Sequence, residues 1–131
     1  MNTEALPVLA LQRDRKTPAI SLDPLTGKFR IAGVSMPEES KEFYEPIQDW
    51  LRNYVEAPAK HTLFELDLEY FNTSSAKCLL DLLRVLEPLH EAGKSISVHW
   101  YYEEEDEEME EVGTGYQEMV KLPFEMHLTE R

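Results

Sequence analysis

A chain of 131 residues, 42% hydrophobic and 10% aromatic, is long enough for one compact domain with one core and too apolar for a disordered polymer. Its formal net charge of −13, with Lys16, Lys28, Lys60, Lys77 and Lys94 dispersed, argues against direct nucleic-acid binding, which needs a basic footprint. No apolar run reaches the length of a membrane span and no signal-peptide pattern opens the chain. The single cysteine, Cys78, excludes an internal disulfide and a multi-cysteine zinc site, so a reducing cytoplasm is the expected compartment.

Residues 1–15 show no clear period and run into the charged stretch Arg13-Asp14-Arg15-Lys16. They read as an N-terminal arm, loosely packed, ahead of a domain spanning 16–131. Thr17 to Leu22 reads as a short strand, Asp23-Pro24-Leu25-Thr26-Gly27 as a turn, and Lys28 to Ala32 as the returning strand of a hairpin. Phe43, Tyr44, Ile47, Trp50, Leu51, Tyr54 and Val55 then recur at helical spacing. Ser35 with Glu38 has capping-box spacing, Ser40 is a rival cap, and Pro46 fits best in a first turn. Ala57-Pro58 closes this helix.

From His61 to Tyr70, Phe64, Leu66, Leu68 and Tyr70 alternate with Glu65, Asp67 and Glu69. The pattern predicts a strand with one core face and one wet, carboxylate-bearing face. Ala76 to Glu91 predicts a second helix with a broad apolar arc, Pro88 near its last turns and Gly93 as a left-handed terminator. In Ser95 to Tyr102 a further strand sets Ile96, Val98 and Trp100 opposite His99 and Tyr101. The acidic run 103–111 leads into a short helix carried by Met109, Val112, Tyr116 and Met119. Leu122-Pro123 stops that helix, and Phe124 to Leu128 reads as a last strand. The strand–helix–strand units favour a parallel sheet with helices packed on it, edged by the opening hairpin: a single-domain α/β fold.

The chain has no phosphate-binding P-loop, no GxGxxG and no HExxH. Its four histidines, His61, His90, His99 and His127, are dispersed and read as surface or hydrogen-bonded residues. Ser74, His99 and Asp67 can be written as a triad, but no GxSxG elbow supports it. The run 103–111 lacks the ligand spacing of a calcium loop; it reads as a solvated segment, a partner-facing edge or a weak, nonspecific site for Mg²⁺ or Ca²⁺. Trp100, Tyr101 and Tyr102 beside Glu103 and Glu104 place aromatic area next to charge, a candidate partner surface, with Trp100 as core the rival reading. The most informative feature is Asn72-Thr73-Ser74-Ser75, an amide and three hydroxyls where strand gives way to helix. One use is structural: Thr73, Ser74 or Ser75 caps the helix while Asn72 organises the bend. The other is phosphorylation, because free N–H groups and the helix dipole favour negative charge there.

Pro37-Glu38-Glu39-Ser40, Glu42-Phe43-Tyr44-Glu45-Pro46 with Trp50, Tyr70-Phe71-Asn72-Thr73-Ser74-Ser75, Trp100-Tyr101-Tyr102 and Leu122-Pro123-Phe124 follow one another across residues 16–128. In this order of motifs the chain resembles the SiaC family of bacterial regulatory phosphoproteins. The resemblance implies a STAS-like fold, similar to anti-sigma-factor antagonists: a mixed β-sheet flanked by helices, with the acceptor hydroxyl at a helix start. It implies a non-enzymatic partner switch without an intrinsic cofactor. A cognate threonine kinase, supplied with Mg-ATP, phosphorylates the motif threonine, which falls on Thr73, and a PP2C-like phosphatase reverses it. The unphosphorylated form binds and activates a diguanylate cyclase, linking the protein to cyclic-di-GMP signalling and biofilm formation. Asn72, Ser74 and Ser75 shape the same loop. The acid run and the N-terminal arm are longer than the family's common core. Two other readings stand beside this one: a constitutive protein-binding adaptor, and a small metal-dependent hydrolase using the acidic segment or Glu65, Asp67 and Glu69.

Overall fold

The computed structural model describes residues 6–130. Within them the chain forms β1 (Leu9–Leu11), β2 (Ala19–Leu22), β3 (Lys28–Ser35), α1 (Ser40–Tyr54), β4 (His61–Phe71), α2 (Thr73–Glu91), β5 (Ser95–Tyr102), α3 (Glu107–Met119) and β6 (Phe124–Leu128). The strands form one sheet in the order β1-β2-β3-β4-β5-β6. The first three pair antiparallel and β3 to β6 pair parallel. Each parallel pair is joined by one helix, and right-handed crossovers between adjacent strands stack all three helices on the same face.

Burial follows that geometry. Phe29, Ile31, Phe64, Leu66, Leu68, Ile96, Val98, Trp100 and Phe124 point into a core closed by Ile47, Leu51, Leu79, Leu83 and Leu86 from the helices. The alternate strand positions, among them Arg30, Glu65, Asp67, His99 and Tyr101, form an open face that is half-buried. The wet face does not accumulate bare negative charge. Arg30 pairs with Asp67 at 2.7 Å and Glu65 at 3.5 Å, and Arg13 pairs with Glu69 at 2.8 Å.

The segment before Lys16 is not a loose arm over its described part. β1 pairs with β2, and the Pro7 carbonyl accepts the Trp50 indole N–H at 2.7 Å. A buried indole N–H needs such an acceptor, and nothing in the local periodicity of residues 6–15 reveals that they supply it. Residues 1–5 of the expected arm lie outside the described residues.

Neither serine expected to cap α1 does so. The cap position is Glu39, which makes no side-chain cap bond. Pro46 lies beyond the first turn, inside the helix; it is exposed, so the carbonyl it leaves unpartnered faces water at low cost. β4 departs from strict alternation: its pairing with β3 shifts register opposite Gly33 and Val34, so that Leu68 and Tyr70 face consecutive residues of β3. Tyr70, expected in the core, is turned out and 53% exposed, while Phe71 packs edge-on against Trp100. α2 begins at Thr73, ahead of the expected Ala76, and runs through Pro88. It ends as expected: Gly93 (φ 78°) and Lys94 donate to the carbonyls of His90 and Leu89, the double closure of a Schellman motif.

Trp100 is the pivot of the last crossover. Its indole N–H donates to the Met109 carbonyl at 3.0 Å, and Tyr116 packs edge-on against the ring. Gly113 of α3 lies directly on it; a Cβ there would stand 2.5 Å from Trp100 Cδ1 and 2.7 Å from Met126 Cε. Alanine in place of a helical glycine ordinarily gains about 1 kcal/mol of helix propensity. Here Gly113→Ala is expected to destabilise the protein by roughly 1–3 kcal/mol through overpacking, read as a lower urea midpoint at unchanged slope.

Candidate functional site

The strand-to-helix junction at 72–75 sits at the C-terminal end of the parallel strands. The Asn72 backbone N–H donates to the Ser35 carbonyl at 3.0 Å. Its side-chain oxygen accepts the Ser75 N–H at 2.9 Å, so Asn72, not Thr73, Ser74 or Ser75, caps α2. The hydroxyl of Ser74 also donates to that oxygen, at 3.2 Å.

Behind the cap runs a seam of hydroxyls. Tyr44 OH and Ser35 Oγ are 2.5 Å apart, Ser35 donates to Ser75 Oγ at 2.8 Å, and Ser40 Oγ lies 3.5 Å from Ser75 and 2.7 Å from Ser74. Ser35, Ser75, Ser40 and Tyr44 are all buried. Each hydroxyl has one hydrogen to give. Ser35 spends its hydrogen on Ser75, so Tyr44 donates to Ser35. Ser74 spends its own on Asn72, so Ser40 donates to Ser74 and Ser75 turns to Ser40. The chain therefore runs Tyr44, Ser35, Ser75, Ser40, Ser74, Asn72, each donating to the next. Burial pushes the Tyr44 phenol far above its ordinary range, which keeps its proton in place at the head of the chain.

Thr73 stands apart from this seam. It occupies the first helical position of α2 and is exposed. Its groove is lined by Glu69, Tyr70, Asn72 and Ala76 on one side and by Asp106, Glu108, Met109 and Val112 on the other. The first turn of α2 carries no acidic residue, so the positive end of its dipole has no side-chain countercharge on its own helix. The acid run is partly explained by α3: Asp106 caps it, accepting the Met109 N–H at 3.0 Å, and Glu107, Glu108 and Glu110 fill its first turn, where a helix N-terminus favours carboxylates. Tyr116 OH donates to the Ala76 carbonyl, tying α3 to the first turn of α2.

The partner surface read across Trp100, Tyr101, Tyr102, Glu103 and Glu104 does not hold together as one patch. Trp100 is 1% exposed and belongs to the core. Tyr101 projects from the opposite face, where its hydroxyl donates to Glu65 at 2.9 Å and its ring lies 5.8 Å from the Arg30 guanidinium. Tyr102, Glu103 and Glu104 lie at the strand end leading to α3, Glu104 exposed and the other two half-buried. The paper triad is not assembled either: Asp67 pairs with Arg30 on the open face, whereas Ser74 is an exposed residue in the first turn of α2, bonded to Asn72 and Ser40. Cys78 is half-buried, not enclosed. It lines the cleft between α1 and α2 with Ser40, Tyr44 and Asp81, and burial, then the Asp81 charge, push its thiol up. The histidines are not all dispersed in space. Pairing of β5 with β6 brings His99 and His127 together, a contact that needed the strand register to be visible.

A single six-stranded sheet with three parallel crossovers, its helices on one face and a capped hydroxyl-rich helix start at the strand ends, defines a STAS-like regulatory domain. The SiaC family regulatory phosphoprotein model matches residues 11–129, and the chain belongs to that family. That family is one of regulatory phosphoproteins. A curated relative, an uncharacterized protein of Pseudomonas aeruginosa (strain UCBPP-PA14), is 33% identical over 110 residues, covering 84% of this chain and 87% of the relative. The crystal structure of apo-SiaC from Pseudomonas aeruginosa is similar with a TM-score of 0.85 at 30% identity, over 92% of this chain and 98% of that one. The crystal structure of the diguanylate cyclase SiaD in complex with its activator SiaC, from the same organism, gives a TM-score of 0.85 at 30% identity, over 92% and 99%. Among the described residues no helix is long and apolar enough to cross a membrane.

Because Asn72 is the cap and Thr73 is not, their truncations separate. Asn72→Ala is expected to cost about 0.5–2 kcal/mol. Thr73→Ala should stay within roughly 0.5 kcal/mol of the parent, as for an exposed position without such a feature. Paired urea denaturation curves make the comparison.

Proposed function

We propose that this chain is a cytoplasmic partner-switching regulator whose state is set by phosphorylation of Thr73. The observation that carries the reading is the division of labour in the tetrapeptide. Ser75 is fully buried in the hydroxyl seam, and Ser74, though exposed, has its hydroxyl bonded to Ser40 and Asn72, while Thr73 presents an exposed side chain outside the seam at a helix N-terminus. A kinase can reach that hydroxyl without opening the core. The protein needs no cofactor of its own for this; a cognate threonine kinase brings Mg-ATP, and a PP2C-like phosphatase removes the group.

The unphosphorylated form binds a downstream signalling protein, a diguanylate cyclase by analogy with the SiaC–SiaD complex, and through it acts on cyclic-di-GMP signalling and biofilm formation. The groove supplies a mechanism for release. Tyr70, Met109 and Val112 offer apolar area, and Glu69, Asp106 and Glu108 ring it with carboxylates. A phosphate adds about −1.5 to −2 charges at neutral pH in the middle of that apolar patch. The helix dipole accommodates the group, so the domain stays folded, but a partner seated there must desolvate it. Tyr102, Glu103 and Glu104, at the same end of the sheet, extend the contact surface.

Intact-mass and peptide mass spectrometry after incubation with the cognate kinase and Mg-ATP test the acceptor. One phosphate on Thr73 is expected, retained in Ser74→Ala and lost in Thr73→Ala; persistence at equal stoichiometry in Thr73→Ala sinks the assignment. The phosphorylated form should bind the cyclase at least about 5-fold more weakly than the unmodified one, the low end of ordinary coupling. Equal affinities would instead support a constitutive adaptor.

A further inference from the structure

The open face of the sheet carries a constellation that phosphoprotein switching does not use. In the parallel pairing of β5 with β6, His99 stands opposite Glu125 and Tyr101 opposite His127. Glu125 and His127 are two residues apart on one strand and share a face, the face away from the helices. His99 Nε2 lies 2.8 Å from Glu125 Oε2, and His127 Nε2 lies 3.5 Å from the same oxygen. The two imidazoles meet at 3.1 Å, His99 Nδ1 to His127 Nε2. We propose that His99, Glu125 and His127 form a binding site for a first-row divalent transition-metal cation, with zinc as the reference ion.

The spacing suits such an ion. Bonds of about 2.0–2.2 Å to nitrogen and oxygen, in tetrahedral arrangement, set neighbouring donors about 3.4 Å apart. With His99 Nδ1, His127 Nε2 and Glu125 Oε2 as donors, the 3.1 Å and 3.5 Å separations at His127 Nε2 bracket that value, and one ligand atom from each of the three residues lies within 4.8 Å of the others. Donor chemistry selects the ion: two imidazoles and one carboxylate favour zinc, copper, nickel or cobalt over magnesium and calcium, which want oxygen throughout. Three protein ligands leave a position for water or a partner's donor. The side chains of His99 and His127 are 21% and 37% exposed and that of Glu125 is 61% exposed, so the imidazoles are less exposed than the carboxylate and the site is open to solvent.

The His127 ring is packed from behind by an aromatic neighbour. His127 stacks on Tyr101 with centroids 5.0 Å apart and planes 22° apart. Tyr101 is held in turn by its bond to Glu65 and by Arg30. These contacts reach the site through paired strands, so little reorganisation remains for the ion to impose. The protein's net charge of −13 adds a general attraction for cations. This inference is independent of the phosphosite, which lies on the helix side of the sheet.

The test uses the full chain without a histidine tag, stripped with chelator and titrated with Zn²⁺ by calorimetry and with Co²⁺ by visible absorption. One equivalent of Zn²⁺ at micromolar or tighter affinity, with visible cobalt bands, is expected. His99→Ala and His127→Ala should each weaken binding by at least about 10-fold while keeping the parent's circular dichroism, and His61→Ala and His90→Ala should bind as the parent does. His99→Gln and His127→Gln serve as polar replacements should either alanine variant fail to fold. Saturation only at millimolar Zn²⁺, or parent-like affinity in the folded His99 and His127 variants, would overturn the site and assign any binding to the acidic run.

Discussion

A seam of hydroxyls between β3, α1 and α2, buried from Tyr44 to Ser40 and open to solvent at Ser74, is the constraint on which the site's geometry depends. Ser35 and Ser75 are fully buried, and Ser40 and Tyr44 nearly so. Within a low-dielectric interior an unpartnered hydroxyl costs about 1–3 kcal/mol, so the chain must close on itself. It does so in one direction, from Tyr44 to the Asn72 amide. Closing it fixes α1 against α2, seats the strand end on Ser35 and leaves Asn72 in the cap position. The exposure of Thr73 follows: the helix phase that buries Ser75 and engages Ser74 turns the preceding residue toward the groove.

The same seam explains which parts of the molecule were legible in the sequence. β5 and β6 appear with the expected bounds because alternation and breakers are local signals. The α/β order and the parallel crossovers were legible for the same reason. The caps were not. Ser35 and Ser40 have the spacing of capping residues, but a tertiary partner competes for each hydroxyl and wins, since a buried hydroxyl must be satisfied and an exposed helix start can be hydrated. Tyr70 was misplaced because a bulge breaks the period that placed Phe64, Leu66 and Leu68 correctly. The N-terminal segment hid its role because its tie to Trp50 is a backbone carbonyl, which has no sequence signature. At the candidate site the tetrapeptide itself was visible, but the separation of Thr73 from its neighbours required the fold. The meeting of His99 and His127 required the register of two strands separated by a helix.

The sheet divides the molecule into two chemical environments. On the helix side, the strand ends and the start of α3 gather apolar area within a rim of carboxylates around Thr73. On the open side, arginines from β3 and the N-terminal segment neutralise the β4 carboxylates, and the polar ladder continues through Tyr101 to the histidine pair. That ladder also argues against the hydrolase reading of Glu65, Asp67 and Glu69, whose carboxylates are occupied by Arg30, Tyr101 and Arg13. Trp100 connects the two sides mechanically: it shares β5 with Tyr101 but points into the core, where it positions α3, and through α3 the far wall of the Thr73 groove.

The two outermost strands are the shortest or nearly so: β1 has 3 residues and β6 has 5, against 11 in β4. Free strand edges invite a second chain to add on, and brevity is one of the ways proteins blunt them. Leu9–Leu11 offers too few backbone groups to template a new strand, and β6 interrupts its apolar residues with Glu125 and His127. Recruitment of an extended peptide by sheet extension, a common mode of domain–peptide recognition, is therefore poorly served by this fold. Docking through side-chain surfaces is left as the better-served mode, and such surfaces are what an added phosphate, of the kind proposed at Thr73, can spoil.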